Sequence, residues 1–503
     1  MRRNVLLGLI ISSGLSVLAA GAGCSDGGTN TTGGGGEGGS GGGASQSSSS
    51  SSSSSVAQSG SGGGTPADSN VSCDTATELF LDDPGLQDTL DPIDTDEDFY
   101  KFKGAKGQAI LLSTDAKPPA DEFDNTYPDL VLTLYKKQGG QWVQIAENDD
   151  PFPRSSNDSA MYTILPASDD DEYCMRVTEC NVWVGGAPGC APSADITTYD
   201  YAIGAGILDA SLDSIAAEVE PNESDAQATA VEYAKNAQSG NYYLSLQWGG
   251  YSSATDVDVW KFNVPADAVK VMGDRSVCNF DFYPGGTVGS GSTATSGVIA
   301  YVTTAADPTK KIAQIDVTAG QTPAQIAVPC ELGTDYLFFM TRKAGSTAGE
   351  NDFYFVNHGG TGSNPLEAGP NDAVDMPEAL KPNANGTTTS YFVDGDLDAA
   401  PTDVDYYSVD VPAGSATISV ACGGQRSGSG LRGLKVSVLG ANNMPITGGT
   451  STETEAKDLF IQDANVPSGV TSLKIKVEAA SQDADVASTF YRCGVHVAPP
   501  ANP

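Results

Sequence analysis

The decisive stretch occurs three times: Thr95-Asp96-Glu97-Asp98-Phe99-Tyr100-Lys101-Phe102, Thr255-Asp256-Val257-Asp258-Val259-Trp260-Lys261-Phe262 and Thr402-Asp403-Val404-Asp405-Tyr406-Tyr407-Ser408-Val409. Each copy is Thr-Asp-x-Asp followed by a short aromatic and β-branched run, and the copies begin 160 and 147 residues apart. Recurrence at a long interval is the mark of repeated structural units, so three similar domains are expected. Asp and Thr hydrogen-bond their own backbone in turns, and strand residues alternate between faces. Tyr100, Trp260 and Tyr407, each with the residue two places on, are therefore assigned to the core, and Phe99, Val259 and Tyr406 to the opposite face.

A second register supports the repeat. Counting nine residues back from Leu79, Val231 and Leu380, the last apolar positions of the segments leading into the acidic turns, reaches Asn70, Asn222 and Asn371. Around these asparagines the second and third copies read Glu218-Val219-Glu220-Pro221-Asn222-Glu223 and Glu367-Ala368-Gly369-Pro370-Asn371-Asp372.

Runs such as Ala109-Ile110-Leu111-Leu112, Leu130 to Tyr135 and Trp142 to Ile145 are short and separated by Gly, Asp, Asn or Pro clusters. That pattern predicts an all-β chain of three tandem antiparallel β-sandwich domains, jelly-roll-like, at 67–207, 218–358 and 365–499. Ala205 to Ala217 is expected as a short helix or extended linker, and His358 to Pro365 as a Gly/Ser/Pro link. Residues 24–66 are almost wholly Gly, Ser and Thr, including Ser47 to Ser55, and predict a disordered tether. About 40 such residues span roughly 35 Å as a coil.

Met1 to Gly23 reads as an export signal, with Arg2 and Arg3 ahead of an apolar run and small residues before Cys24. Cys24 directly after Gly-Ala-Gly resembles a bacterial lipoprotein cleavage site, which implies a lipid on Cys24 and a membrane anchor at the outer membrane or cell surface. Eight cysteines remain, an even number in an exported chain. If bonds stay within domains, Cys278 pairs with Cys330 and Cys422 with Cys493. The first domain allows three connectivities, of which Cys180 with Cys190 and Cys73 with Cys174 are favoured.

The motifs Asp96 to Phe102, Pro128 to Tyr135 and Ile145 to Asp150 resemble the bacterial pre-peptidase C-terminal domain, a β-sandwich appended to secreted peptidases and similar to the collagen-binding domains of clostridial collagenases. The second and third copies share the acidic strand and its lead-in segment but lack a clear Asn-Asp-Asp match.

A net charge of −38, from 26 Lys plus Arg against 64 Asp plus Glu, opposes nucleic-acid binding and favours cations. Clustered carboxylate and amide oxygens suit Ca²⁺, and the resemblance implies calcium at the lead-in acids and acidic turn. Candidates are Glu218, Glu220, Asn222, Glu223, Asp256 and Asp258, then Glu367, Asn371, Asp372, Asp403 and Asp405. Pro66 and Val71 occupy two acidic positions of the first copy, where weak or no binding is expected. The plain alternative is turn capping. Asn148-Asp149-Asp150 is read as a solvated hairpin, and Tyr242, Tyr243, Trp248 and Tyr251 as core aromatics or, less commonly, an exposed strip for stacking on a polymer.

Enzyme signatures are scarce: His358 and His496 have no partner acids at motif spacing, and the GxSxG match at Gly38 to Gly42 lies inside the tether. The expected function is a non-catalytic surface lipoprotein that binds extracellular polysaccharide or protein, or acts as a spacer. The alternatives are a hydrolase with a dispersed carboxylate pair and a structural partner in an envelope complex.

Overall fold

The computed structural model describes residues 69–499 apart from short stretches, the longest being 117–126, 150–157 and 185–198. The export signal, Cys24, the tether and the Gly38 to Gly42 match lie outside the described residues.

Three pairs of sheets follow in chain order. In the first sandwich, Thr77–Glu78, Glu97–Lys103, Glu172–Glu179, Leu130–Gln138 and Gln141–Asn148 form one sheet, and Leu86–Thr89, Asp200–Ile207, Ala109–Asp115 and Ala160–Ile164 the other. The second and third sandwiches repeat this plan with five strands in each main sheet. The acidic stretches form the strands Glu97–Lys103, Val257–Asn263 and Val404–Asp410. Their inward residues Tyr100 and Phe102, Trp260 and Phe262, and Tyr407 and Val409 lie in the three separate cores.

Pairing is mostly antiparallel; Ile215–Ala217 runs parallel to Leu246–Gly250 in the second sandwich, and one parallel pairing recurs in all three. The lead-in strand runs parallel to the acidic strand in every sandwich, matching Thr77 with Tyr100, Thr229 with Trp260 and Glu378 with Tyr407. The chain crosses to the opposite sheet between these two strands, so it returns in the same direction. The asparagine register locks the crossing: the carbonyls of Asn70, Asn222 and Asn371 accept from the amides of Phe99, Val259 and Tyr406 at 2.9, 3.1 and 2.8 Å.

Two boundary readings change. Ala205 to Ala217 is strand at both described ends, in Asp200–Ile207 and Ile215–Ala217, and the last strand of the second sandwich, Phe353–Thr361, runs through residues read as a link. Cys73–Cys174, Cys278–Cys330 and Cys422–Cys493 are bonded, each within one sandwich. Cys180 is also disulfide-bonded, while Cys190 lies outside the described residues.

The sandwiches pack directly on one another through one sheet of the middle unit. Along Arg275–Tyr283, Cys278, Phe280 and Phe282 point into the middle core, which turns the alternate residues outward. Tyr283 joins Trp248, Phe353 and Phe355 against Ala109, Leu111 and Leu208 of the first sandwich, and Val277 joins Ala327 against Phe490 of the third. The aromatic strip therefore divides: Trp248 packs in this junction and Tyr251 in the middle core. Arg492 of the third sandwich holds Asp394 at 3.2 Å and reaches across to Gln325 Oε1 at 2.7 Å and Asn279 Oδ1 at 2.8 Å. Arg275 of the middle sandwich returns the contact to Asp396 at 3.0 Å.

The Asp394 side chain is fully buried, and removing one partner of a buried ion pair costs about 3–5 kcal/mol. Arg492→Ala is expected to split the calorimetric transition, with the third sandwich melting first. A single transition at the wild-type temperature would contradict the coupling.

Candidate functional site

Each sandwich places the second aspartate of its acidic turn, Asp98, Asp258 or Asp405, in the interior at no more than 2% exposure. A charge buried there is costly unless partnered. The same aromatic pair stands beside it each time, one ring from the acidic strand and one tyrosine from the opposite sheet. The pairs are Tyr100 with Tyr201 at 2.5 Å between hydroxyls, Trp260 Nε1 donating to Tyr354 Oη at 3.0 Å, and Tyr407 with Tyr491 at 2.6 Å.

A second carboxylate completes the arrangement from outside the motif. In the second sandwich Glu218 accepts from the Gly250 amide at 2.7 Å and from Tyr354 at 3.4 Å. In the third, Glu367 accepts from the Asp396 amide at 3.1 Å and Tyr407 at 2.8 Å. In the first, Tyr100 donates to Asp88 at 2.7 Å. Asp88, Gly249 and Gly395 are equivalent in register, opposite Tyr201, Tyr354 and Tyr491 respectively. Two sandwiches thus combine a lead-in glutamate with a glycine that leaves room for it, and the first supplies the acid from the glycine position itself. Sequence reading missed Asp88, because its role depends on a cross-strand partner 113 positions away.

The structure brings the predicted candidates together in part. Oxygens of Glu218, Glu220 and Asp258 lie within 4.8 Å of one another, as do those of Asp372, Asp403 and Asp405. Glu223 stands exposed. Asp256 accepts from the Ser252 and Val257 amides, matching Asp96, which accepts from the Asp91 amide at 2.7 Å. Turn capping is therefore the work of the first aspartate.

The second sandwich passes a test of fit for a hard cation. Both oxygens of Asp258 and both side-chain polar atoms of Asn222 are buried without a hydrogen-bond partner, and both residues are fully buried. The carboxylates of Glu218, Glu220 and Asp258 and the Asn222 Oδ1 offer oxygen, the chemistry Ca²⁺ takes. Burial, then the neighbouring Glu218 and Asp256, pushes the Asp258 carboxyl well up, and burial followed by Glu220 and Asp256 does the same to Glu218. In the third sandwich Tyr491 donates to Asp405 at 2.6 Å and Tyr407 engages Glu367, leaving the Asn371 Nδ2 buried without a partner. Burial raises both Glu367 and Asp405 as well, with the Asp396 charge adding to it at Glu367 and the Glu367 charge at Asp405.

Near the first sandwich's hairpin, Asp129, Asp149 and Cys180 also converge, but Cys180 is oxidised and has no thiolate to offer. Asn148 is buried and donates to the Ala160 carbonyl at 2.7 Å, so the strand end read as solvated is packed. His496 contacts Ser390 Oγ at 2.8 Å and meets Phe392 edge-on.

No family model matches the chain, and no curated protein matches it. Solved structures do show similarity. The tandem CBM51 modules of Sp3GH98, a family 98 glycoside hydrolase from Streptococcus pneumoniae, are 8% identical, with 53% of this chain and 87% of that one covered and a TM-score of 0.17. The M60 catalytic domain with CBM51-1 and CBM51-2 of Clostridium perfringens ZmpB is 8% identical, with 79% and 55% covered and a TM-score of 0.18. The present chain thus spans about half of that protein's length. The CBM22-1–CBM22-2 tandem domain of Paenibacillus barcinonensis Xyn10C is 11% identical, with 52% and 80% covered and a TM-score of 0.14.

A Cβ added at Gly249 would strike Glu218 Oε2 and the Tyr354 hydroxyl, and one at Gly395 would strike Tyr491 and Tyr407. Gly249→Ala and Gly395→Ala are each expected to destabilise their own sandwich by about 1–3 kcal/mol, as overpacking does. Urea unfolding measures this; wild-type midpoints in both would refute the equivalence with Asp88.

Proposed function

We propose that this chain is a non-catalytic exported module of three docked β-sandwiches that binds or spaces extracellular polysaccharide or protein, with calcium fixing the lead-in segments of the second and third units. The observation that carries the calcium reading is the orphaned, fully buried Asp258 carboxylate beside the orphaned Asn222 carboxamide. Glu218, Glu220, Asn222 and Asp258 would hold the ion, with Asp256 as the capped neighbour. The corresponding third-unit set is Glu367, Asn371, Asp372, Asp403 and Asp405. Bound calcium would supply the positive charge that lets these acids ionise together.

Disulfides persist in oxidising compartments, and those of the three sandwiches accord with export. Lipid attachment at Cys24 and the 24–66 tether would then hold the folded units away from a bacterial outer membrane or cell surface. A surface carrying a net charge of −38 disfavours nucleic acid. The resemblance to pre-peptidase C-terminal domains supports the same reading of the architecture.

The pH dependence has a definite sign. Without the ion, the raised carboxyls of Glu218 and Asp258 make the second sandwich most stable at acid pH, and stability falls as pH rises through their folded values. Calcium needs them ionised, so its effect grows in the same direction. Free Ca²⁺ at about a hundred times Kd is expected to stabilise by about 2.7 kcal/mol, with a larger rise in Tm at about pH 8 than at about pH 5. Asp258→Asn is expected to abolish the second sandwich's share. Equal melting with calcium and with chelator at both pH values would sink the proposal.

A further inference from the structure

The last strand of the third sandwich, Phe490–Ala498, carries Tyr491, Cys493, Val495 and Val497 on its core face. The alternate positions Phe490, Arg492, Gly494 and His496 therefore form one outward stripe. The middle sandwich takes the first two: Phe490 packs with Val277 and Ala327, and Arg492 reaches Gln325 and Asn279. The stripe continues past this junction through Gly494 and His496, which are half-buried.

Strand register builds a row across the sheet at Gly494. Phe392 of Thr388–Asp396 stands opposite it on one side and Ala421 of Thr417–Gly423 on the other, and Phe460 of Leu459–Asn465 stands opposite Ala421. The chain neighbours of these residues, Tyr391 and Val393, Val420 and Cys422, and Leu459 and Ile461, all lie in the core, so the row faces outward. Two phenylalanines thus end a floor of glycine and alanine, three strand spacings or roughly 14 Å apart. Phe460 is 64% exposed. The Phe392 ring leans over the floor: a Cβ at Gly494 would lie 3.5 Å from its Cε1 and 3.6 Å from His496 Nε2.

The next row is polar. Ser390 Oγ contacts His496 Nδ1 at 2.8 Å, Ser419 stands opposite His496 on the other side, and the Asp463 amide donates to Ser419 Oγ at 3.0 Å. Burial lowers the His496 pKa, so the ring is uncharged in neutral solution. Neither row contains Lys or Arg.

These features select the occupant. An acidic polymer meets no cation here and a chain of net charge −38, which repels it. The apolar row covers roughly 14 Å by 7 Å from strand spacing and residue rise, whereas a stable protein interface takes about 800 Å² from each partner. A neutral pyranose chain matches both rows: its C–H faces can pack on the rings, and its hydroxyls can meet a neutral imidazole and a serine, which both donate and accept.

We infer that this outward face of the third sandwich is a binding site for a neutral oligosaccharide chain, stacked on Phe392 and Phe460 across Gly494 and Ala421 and hydrogen-bonded by His496 and Ser419. The site rests on the polysaccharide reading of the proposed function. Its floor is continuous with the docking stripe, so the middle sandwich borders one long side of the row.

The test is isothermal titration of the full chain with mixed-linkage β-glucan, arabinoxylan and glucomannan as neutral probes and polygalacturonate as the acidic one. At least one neutral probe is expected to bind, and polygalacturonate is not. Phe460→Ala and Ala421→Arg are each expected to raise Kd at least about tenfold, the scale of a lost aromatic contact. Phe460→Ala, at an exposed position, is expected to melt as wild type does, which separates binding from folding. Phe80→Ala removes an exposed phenylalanine of the first sandwich and is expected to leave Kd unchanged. Wild-type affinity in either third-sandwich variant would overturn the site while leaving polysaccharide binding in place. Failure of the wild-type chain to bind any neutral probe would remove the polysaccharide reading and the site with it. Binding of polygalacturonate alone, or a dimer in sedimentation that Phe460→Ala dissolves, would give the face another occupant and overturn the inference.

Discussion

A buried aspartate beneath a pair of hydrogen-bonding aromatic rings is the constraint on which each sandwich is built. Asp98, Asp258 and Asp405 enter the interior because the preceding aspartate caps the turn and the strand then alternates. Once inside, each must be neutralised or paired. Tyrosines from the far sheet contact Asp98 and Asp405 directly, which ties the two sheets together at the point where the chain crosses between them. The middle unit replaces one tyrosine with Trp260, whose N–H can only donate, and there the aspartate is left with both oxygens unpaired.

This substitution gives the three units different chemistry on one frame. Where both rings are tyrosines, four oxygens form a continuous row. Where one is tryptophan, the row is broken and the orphaned carboxylate faces Glu218 and Glu220. The glycine opposite the tyrosine decides which strand supplies the outer acid. Glu218 lies directly beyond Ile215–Ala217, the strand leading in from the first sandwich, so the chemistry of the second site sits next to a domain junction.

Docking of the units rests on a separate feature. The middle sandwich has a sheet with apolar residues on both faces: Phe280 and Phe282 inward, Tyr283 and Val277 toward its neighbours. In sequence this appears as a continuous apolar run, Val277 to Tyr283 interrupted by Asn279 and Asp281, where a one-sided sheet would alternate. The interruptions have partners too. Asn279 accepts from Arg492, and Asp281 accepts from Gln325 at 2.7 Å.

The all-β class, the three acidic strands, their inward aromatics and the Cys278–Cys330 and Cys422–Cys493 disulfides were legible in the sequence, because turn chemistry, strand alternation and cysteine parity are local or countable, while Cys73–Cys174 was one favoured choice among three connectivities. The asparagine register was legible as spacing, and the backbone bond it makes explains that spacing. Only the tertiary structure decided that Asp88 stands in for a lead-in glutamate, that Glu223 stays outside the cluster and that Trp248 serves a junction. Each depends on which strands lie side by side, and strand neighbours far apart in the chain are chosen by the packing of whole sheets, which no short stretch of sequence encodes.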